Sequence, residues 1–214
     1  MSSPAERKEA MATHREMDAA YRQELLARQE ALQQEATLLL QELPLVEWLR
    51  QAGEVTIHGS YVTGLMVWRD LDFGVTAPKL SREAAFAIML PLLTRPEVLR
   101  VRYLHQVGPH NPTGDSENDR YFFATYLGTE KGEWKVDVSI WVSTLTRQER
   151  LTPEYITSRL TDETRLTILW LKDLWHLRPE YMVEMGSPDI YDAVLDAGVR
   201  TPSEFEAYLA ARLP

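Results

Sequence analysis

Apolar side chains in the first part of the chain predict one long helix. Residues 5–42 lack Pro and Gly and are rich in Ala, Glu, Gln, Leu and Arg, which are strong helix formers. Apolar residues recur at spacings of four and seven: Met17, Tyr21, Leu25, Leu32 and Leu39. The pattern favours a helix that packs on the body of the protein. A dimer-forming helical arm is the alternative, but His14, Asp18 and Arg28 interrupt the stripe too often for a coiled coil.

The middle of the chain alternates between short apolar runs and helical patterns. A short helix is predicted after Pro44, ending near Gly53. The strands are predicted over residues 55–58, 71–76, 98–106, 119–127 and 133–142. Residues 61–67 read as a helix or tight turn, and Ser81 reads as the N-cap of a helix over 82–93.

The last third of the chain is predicted to be helical. Over residues 161–177 one face is apolar: Leu166, Leu169, Trp170, Leu174 and Leu177. Ser187-Pro188 opens a second helix that Gly198 closes, and Thr201-Pro202 opens a third with a capping box. The predicted class is therefore α+β, a mixed sheet with helices. We expect an N-terminal helical arm over 1–43, a central domain over 44–145 that contains the sheet, and a helical C-terminal domain over 146–214.

Composition narrows the function classes. The chain has no cysteine, which excludes disulfides, thiol nucleophiles, zinc fingers and iron–sulfur ligation. Its formal net charge of −9 argues against a DNA-binding surface, which needs basic residues. The N-terminus is charged rather than signal-like, and no apolar run is long enough to span a membrane. We therefore expect a cytoplasmic protein with no DNA or membrane partner.

One stretch carries candidate chemistry: HGSYVTGLMVWRDLD, residues 58–72. Residues two apart in a strand point the same way, so Asp70 and Asp72 share a face. Two adjacent carboxylates repel each other unless a cation lies between them. Oxygen ligands favour Mg²⁺ or Mn²⁺ over zinc. Taken alone, a solvated strand entry would explain the pair as well.

Two further features complete the predicted site. Gly59-Ser60 follows a strand, where a glycine permits close backbone approach and a serine opening a helix can bind an anion. Asp137 lies on the polar face of its predicted strand, opposite Val136 and Val138. If that strand neighbours the one bearing Asp70 and Asp72, three carboxylates converge. Three carboxylates can hold two metal ions, an arrangement suited to phosphoryl transfer. An edge strand with a solvated polar face is the alternative for Asp137.

This ordered set resembles the nucleotidyltransferase superfamily, which includes DNA polymerase beta. Its members share a Gly-Ser segment, an Asp-x-Asp pair and a third acidic residue on a later strand. The matching positions are Gly59, Ser60, Asp70, Asp72 and Asp137, and the resemblance covers residues 54–142. The chain resembles the small antibiotic and minimal nucleotidyltransferases more than it resembles polymerases. In small-molecule members a helical C-terminal part helps to bind the acceptor.

The resemblance implies a reaction. A nucleotide monophosphate unit would pass from a triphosphate, expected to be ATP, to a hydroxyl on a small molecule or protein, releasing pyrophosphate. Asp70 and Asp72 would hold Mg²⁺, Asp137 would bind a second metal or act as general base, and Gly59 and Ser60 would bind the triphosphate.

Several alternatives stay open at this stage. Arg69 and Lys135 are further candidates for binding the triphosphate, or they are ordinary surface charges. The protein could instead be a toxin–antitoxin or regulatory module that acts on a protein or RNA, or a non-catalytic nucleotide-binding scaffold. A homodimer through the N-terminal helix also stays open.

Overall fold

The computed structural model describes residues 15–147, 150–181 and 183–212. These residues form two compact units, one spanning residues 30–155 and one containing the described residues before 30 and from 156 onward. The domain limits predicted at residues 43 and 145 stay a prediction. No helix in the described part of the chain is long and apolar enough to cross a membrane.

The structure contains both helices and strands, as predicted for an α+β protein. The helices are α1 (Ala19–Glu42), α2 (Leu45–Arg50), α3 (Gly59–Thr63), α4 (Arg82–Leu93), α5 (Pro153–Arg159), α6 (Asp162–Trp175), α7 (Ser187–Tyr191), which continues as a π-helical turn (Asp192–Asp196), and α8 (Pro202–Ala210). The strands are β1 (Glu54–His58), β2 (Asp70–Thr76), β3 (Val98–Gln106), β4 (Arg120–Thr129) and β5 (Gly132–Trp141).

Two helix boundaries differ from the sequence prediction. Helix α1 begins at Ala19, because the Asp18 carboxylate accepts a hydrogen bond of 2.7 Å from the backbone N–H of Tyr21 and so caps the helix. Residues 5–14 of the predicted helix lie outside the described residues. Helix α6 ends at Trp175, and Leu177, which was predicted on its apolar face, is 83% exposed. The Ser81 cap and the Thr201 capping box are confirmed.

The unit of residues 30–155 is built on one mixed sheet of five strands in the order β1-β2-β5-β4-β3. β2 and β5 are parallel neighbours, and the other adjacent pairs are antiparallel. One sheet face is apolar, as the alternation in β5 predicted, and its buried residues include Phe73, Val136 and Val138. Buried residues of α1, α2 and α4 complete this core. The opposite face carries polar side chains.

The second unit has a smaller apolar cluster. Tyr21 and Leu25 of α1 are buried together with Leu166 of α6. The hydroxyl of Tyr21 donates to the Asp173 carboxylate, which also accepts a hydrogen bond of 2.5 Å from Arg28. The unit therefore joins an apolar contact to a polar network that fixes α6 against the start of α1.

Candidate functional site

Strand pairing brings the three predicted carboxylates together on the polar face of the sheet. Asp72 of β2 lies directly beside Asp137 of β5, and Asp70 lies beside Lys135. Residues paired across neighbouring strands point to the same face. One oxygen from each of Asp70, Asp72 and Asp137 lies within 4.8 Å of the others. Among the described residues this is the one group of at least three acidic or histidine side chains placed to hold a metal ion.

Asp70 is held in place from two sides. It is 8% exposed, and its Oδ2 atom accepts a hydrogen bond of 3.2 Å from the Trp68 indole N–H. Its Oδ1 atom lies 3.5 Å from the Lys135 ammonium. A buried carboxylate with two fixed donors is preorganised, so its oxygens keep one orientation in the cluster.

Gly59 lies against Asp72. Its φ is +71°, a conformation that side chains disfavour, and a Cβ built at Gly59 would lie 2.0 Å from Asp72 Oδ2. Any side chain at this position would therefore displace the carboxylate. The Gly59-Ser60 turn and the carboxylate pair, which were inferred separately from the sequence, are in contact in the fold.

Ser60 is less accessible than the sequence suggested. The residue is 6% exposed, and α3 is one helical turn of five residues ended by Gly64 in the left-handed conformation. So short a helix has few aligned peptide dipoles, and its N-terminus adds little to anion binding. A phosphate at this turn would depend on individual N–H and hydroxyl donors.

Lys135 enters the cluster itself. Its Nζ atom lies 2.6 Å from Asp137 Oδ2 and 3.5 Å from Asp70 Oδ1. Burial by itself would lower the pKa of Lys135, but the Asp70 and Asp137 carboxylates outweigh burial and raise the pKa above its ordinary value. The ammonium is therefore a fixed positive charge that partly neutralises the three carboxylates.

The Asp137 carboxyl has a raised pKa and an oxygen without a hydrogen-bond partner among the described residues. Burial raises the pKa of its carboxyl to about 6, although the Lys135 ammonium acts in the opposite direction. Its Oδ1 atom is buried and has no hydrogen-bond partner among the described residues. An unpaired buried carboxylate oxygen is costly. Its place beside two further carboxylates fits a cation with oxygen ligands such as Mg²⁺.

Arg69, predicted to bind phosphate, is occupied elsewhere. Its Nε atom donates to Glu35 of α1 at 2.8 Å, and its Nη2 atom lies 3.4 Å from the same carboxylate. Lys131 also approaches Glu35, at 3.7 Å. A role for Arg69 in triphosphate binding would require this ion pair to open.

Sequence reasoning missed three residues that shape the site. Trp68 lies in a bend just before β2, where strand period does not apply, so the sequence gives no signal of its contact with Asp70. Glu35 is 34 residues before Arg69 and gives no local signal of their pairing. Arg120 lies on the same sheet face as Asp137 and interacts electrostatically with it. The alternation of side chains in β4 could have placed Arg120 on a polar face, but it could not have shown that β5 is the neighbouring strand.

The raised pKa of Asp137 predicts a distinct dependence of stability on pH. The folded state binds this proton more tightly than the unfolded chain, so the carboxyl destabilises the fold as pH rises from about 4 towards about 6. We expect its contribution to the free energy of unfolding to fall by about 2 kcal/mol between pH 4 and pH 7.

Urea unfolding of the parent and of Asp137→Asn across this pH range measures the effect. Subtracting the two profiles removes the carboxyls that do not interact with Asp137, and the pKa of Lys135 lies above the range. Parallel profiles for the two proteins would contradict the prediction.

Comparison with known proteins does not assign this site to a family. No protein-family model matches the chain, and no curated protein matches it significantly. The nucleotidyltransferase resemblance therefore rests on Gly59, Ser60, Asp70, Asp72 and Asp137, and the reaction it implies is a proposal.

Proposed function

We propose that this protein is a metal-dependent nucleotidyltransferase that moves a nucleotide monophosphate from a nucleoside triphosphate to a hydroxyl acceptor and releases pyrophosphate. One observation carries the proposal. Three carboxylates on parallel neighbouring strands converge to within 4.8 Å, and one of their buried oxygens lacks a partner. Such a set is costly without a cation and suited to one.

Each residue has a role in this proposal. Asp70 and Asp72 would hold Mg²⁺ at the phosphates. Gly59 would leave room for the Asp72 carboxylate and let the protein backbone approach the triphosphate closely. Bound Mg²⁺ would neutralise the charge that develops on the transferred phosphoryl group. Asp137 would bind a second ion or accept the proton of the attacking hydroxyl. Its pKa of about 6 in the metal-free protein lies near the range where a general base is effective.

Lys135 would change partners during the cycle. Its ammonium occupies the carboxylate cluster in the metal-free protein, and a lysine has a flexible four-carbon stem. An incoming metal ion would repel the ammonium, which could then bind a phosphate oxygen. This is consistent with the triphosphate contact predicted for Lys135 from the sequence.

The same lysine favours a second candidate, a non-catalytic nucleotide-binding scaffold. If the Lys135 ammonium permanently replaces a metal ion, the cluster is a structural ion network. Lys135→Gln separates the two functions. A catalytic site in which Lys135 binds phosphate should lose pyrophosphate release in this variant. A scaffold should show no pyrophosphate release before or after the change, and Lys135→Gln should destabilise it.

Calorimetry tests the proposed function directly. Each of the four common nucleoside triphosphates is titrated with and without Mg²⁺, and pyrophosphate release is then screened over aminoglycosides, other hydroxyl compounds, tRNA and proteins. We expect Mg²⁺-dependent binding in the parent and none in Asp70→Asn. Equal binding with and without Mg²⁺, and no pyrophosphate release with any acceptor, would overturn the proposal.

Ser60→Ala tests the phosphate contact. The side chain is small and its removal should leave the fold intact, while triphosphate affinity falls by about 1 kcal/mol or somewhat more, the scale of a hydrogen bond to a charged group. Calorimetry at saturating Mg²⁺ measures this loss. Unchanged affinity would identify Gly59-Ser60 as a turn that positions Asp72 without contacting phosphate.

A further inference from the structure

The polar face of the sheet is divided by charge. We call it the carboxylate face, since it bears Asp70, Asp72 and Asp137. On the far side of Asp137, strands β4 and β3 present arginines to this same face. Their register shows it: Asp137 pairs with Ala124, and Ala124 pairs with Arg102. Arg120 lies four residues from Ala124 along β4, and Arg100 lies two residues from Arg102 along β3, so both share this orientation. An acidic half of the face thus borders a basic half.

Arg120 lies on β4, the strand beside that of Asp137, and its side-chain hydrogen bonds go to neutral groups. Its Nε atom donates to Gln106 Oε1 at 2.7 Å, and its Nη1 atom donates to Ser139 Oγ at 3.0 Å. Both partners are neutral. By contrast, Arg100 forms an ion pair of 2.7 Å with Glu133. Within the described residues no carboxylate lies at ion-pair distance from Arg120.

The Arg120 guanidinium lies against two aromatic rings, which attract a cation but carry no net charge to neutralise it. Its guanidinium carbon lies 5.0 Å from the ring centre of Phe122 and 4.9 Å from that of Trp141. A second guanidinium, that of Arg147, lies 4.2 Å from the same Trp141 ring. Burial and the neighbouring Arg147 lower the pKa of Arg120, while the Asp137 carboxylate acts in the opposite direction; the guanidinium stays charged at neutral pH. A desolvated cation beside a second cation is best stabilised by an anion.

Position indicates which anion this is. Gly59 follows β1 at one edge of the sheet, the carboxylates lie on β2 and β5, and Arg120 lies beyond them on β4. Ser139, which Arg120 contacts, is two residues or about 7 Å along β5 from Asp137. In-line displacement needs the leaving group and the attacking hydroxyl on opposite sides of the α-phosphorus. With the triphosphate at Gly59, the Arg120 side is the acceptor side.

We propose that Arg120, oriented by Gln106 and Ser139, binds a phosphate group of the acceptor, which makes the acceptor a hydroxyl compound carrying a phosphate monoester. The assignment to the acceptor rests on the proposed function. Arginine forms paired, charge-assisted hydrogen bonds with phosphate. Polycationic acceptors such as aminoglycosides would be repelled by this half of the face.

Titration of the arginine Nε–H resonances by NMR tests binding without requiring turnover. The probes are glycerol 3-phosphate and glycerol, and the Arg120 resonance is identified by its loss in Arg120→Lys. We expect a saturable shift of this resonance with glycerol 3-phosphate and none with glycerol. Affinity should fall about tenfold or more in Arg120→Gln, the scale of losing a hydrogen bond to a charged group, and less in Arg120→Lys.

The matched control is Arg82→Gln, which removes the same charge from an exposed helix position. Its affinity for glycerol 3-phosphate should equal that of the parent. The parent titration decides the matter if Arg120→Gln does not fold. Absence of a saturable shift, or an equal loss of affinity in Arg82→Gln, would overturn the proposed phosphate site.

A second titration identifies the source of the phosphate. Glycerol 3-phosphate is added in the presence of saturating Mg²⁺ and a non-hydrolysable ATP analogue. Simultaneous binding is expected for an acceptor site. Competition would assign Arg120 to the triphosphate and overturn the acceptor assignment. If the analogue itself does not bind while glycerol 3-phosphate does, the nucleotidyltransferase proposal fails and the phosphate site stands.

Discussion

Under the proposed function, Asp72→Asn should abolish stabilisation by Mg²⁺ and nucleotide and reduce pyrophosphate release about a thousandfold. Asn keeps the shape of the side chain but removes one of the three charges that would hold the metal ion. The loss of rate is on the scale seen when one electrostatic contact to a transition state is removed. Ligand at about 100 times its Kd would stabilise the folded parent by about 2.7 kcal/mol, because only the folded state would bind it. The variant should gain nothing.

The metal-free variant should behave in the opposite way. Asp70, Asp72 and Asp137 repel one another, and the Lys135 ammonium offsets only part of this charge. Removing one charge should stabilise the metal-free protein at neutral pH by about 0.5–2 kcal/mol. This is the usual gain in stability when an unfavourable interaction at a functional site is removed. Thermal melts with and without Mg²⁺ and nucleotide measure both effects.

The control for charge alone is Asp115→Asn, in the exposed loop before β4. It should melt like the parent in both conditions. If saturating ligand does not shift the melting temperature of the parent, and Asp72→Asn is neutral or destabilising, then the cluster is not a metal site.

Gly59→Ala should damage both the fold and the site. The substitution places a side chain at a φ of +71°, which costs about 1–2 kcal/mol by itself. The new Cβ would also lie 2.0 Å from Asp72 Oδ2, so the carboxylate must move out of the cluster. We therefore expect a further loss of about 1 kcal/mol or more from the forced contact. Mg²⁺ and nucleotide should no longer stabilise the variant.

Gly114→Ala is a matched control for the cost of placing a side chain at positive φ. Gly114 has a φ of +75°, and a Cβ there would meet nothing within 4 Å. The difference between the two variants in urea unfolding isolates the contact with Asp72. If both lose the same stability and Gly59→Ala still responds to Mg²⁺ and nucleotide, then close packing of Gly59 on Asp72 is not needed for binding.

The sequence by itself determined the local features of the site and fold. Alternation in β5 placed Val136 and Val138 in the core and left Lys135 and Asp137 on the polar face. The same rule placed Asp70 and Asp72 on one face of β2. These inferences succeed because strand period and helix capping depend on neighbouring residues of the same segment. The start of α1 at Ala19 is also a local feature, because Asp18 is a common N-cap residue. The helix-forming residues around Asp18 hid this signal.

Only the tertiary structure decided what these residues meet. Parallel pairing of β2 with β5 sets Asp72 beside Asp137, and the same register puts the Lys135 ammonium among the carboxylates. The pairing of Arg69 with Glu35 likewise joins segments far apart in the chain. Strand order and such pairings follow from how whole apolar faces are buried together, a non-local balance that local patterns do not contain. The sequence therefore determined which side chains face the site, and the packing of the sheet decided which charges they meet there.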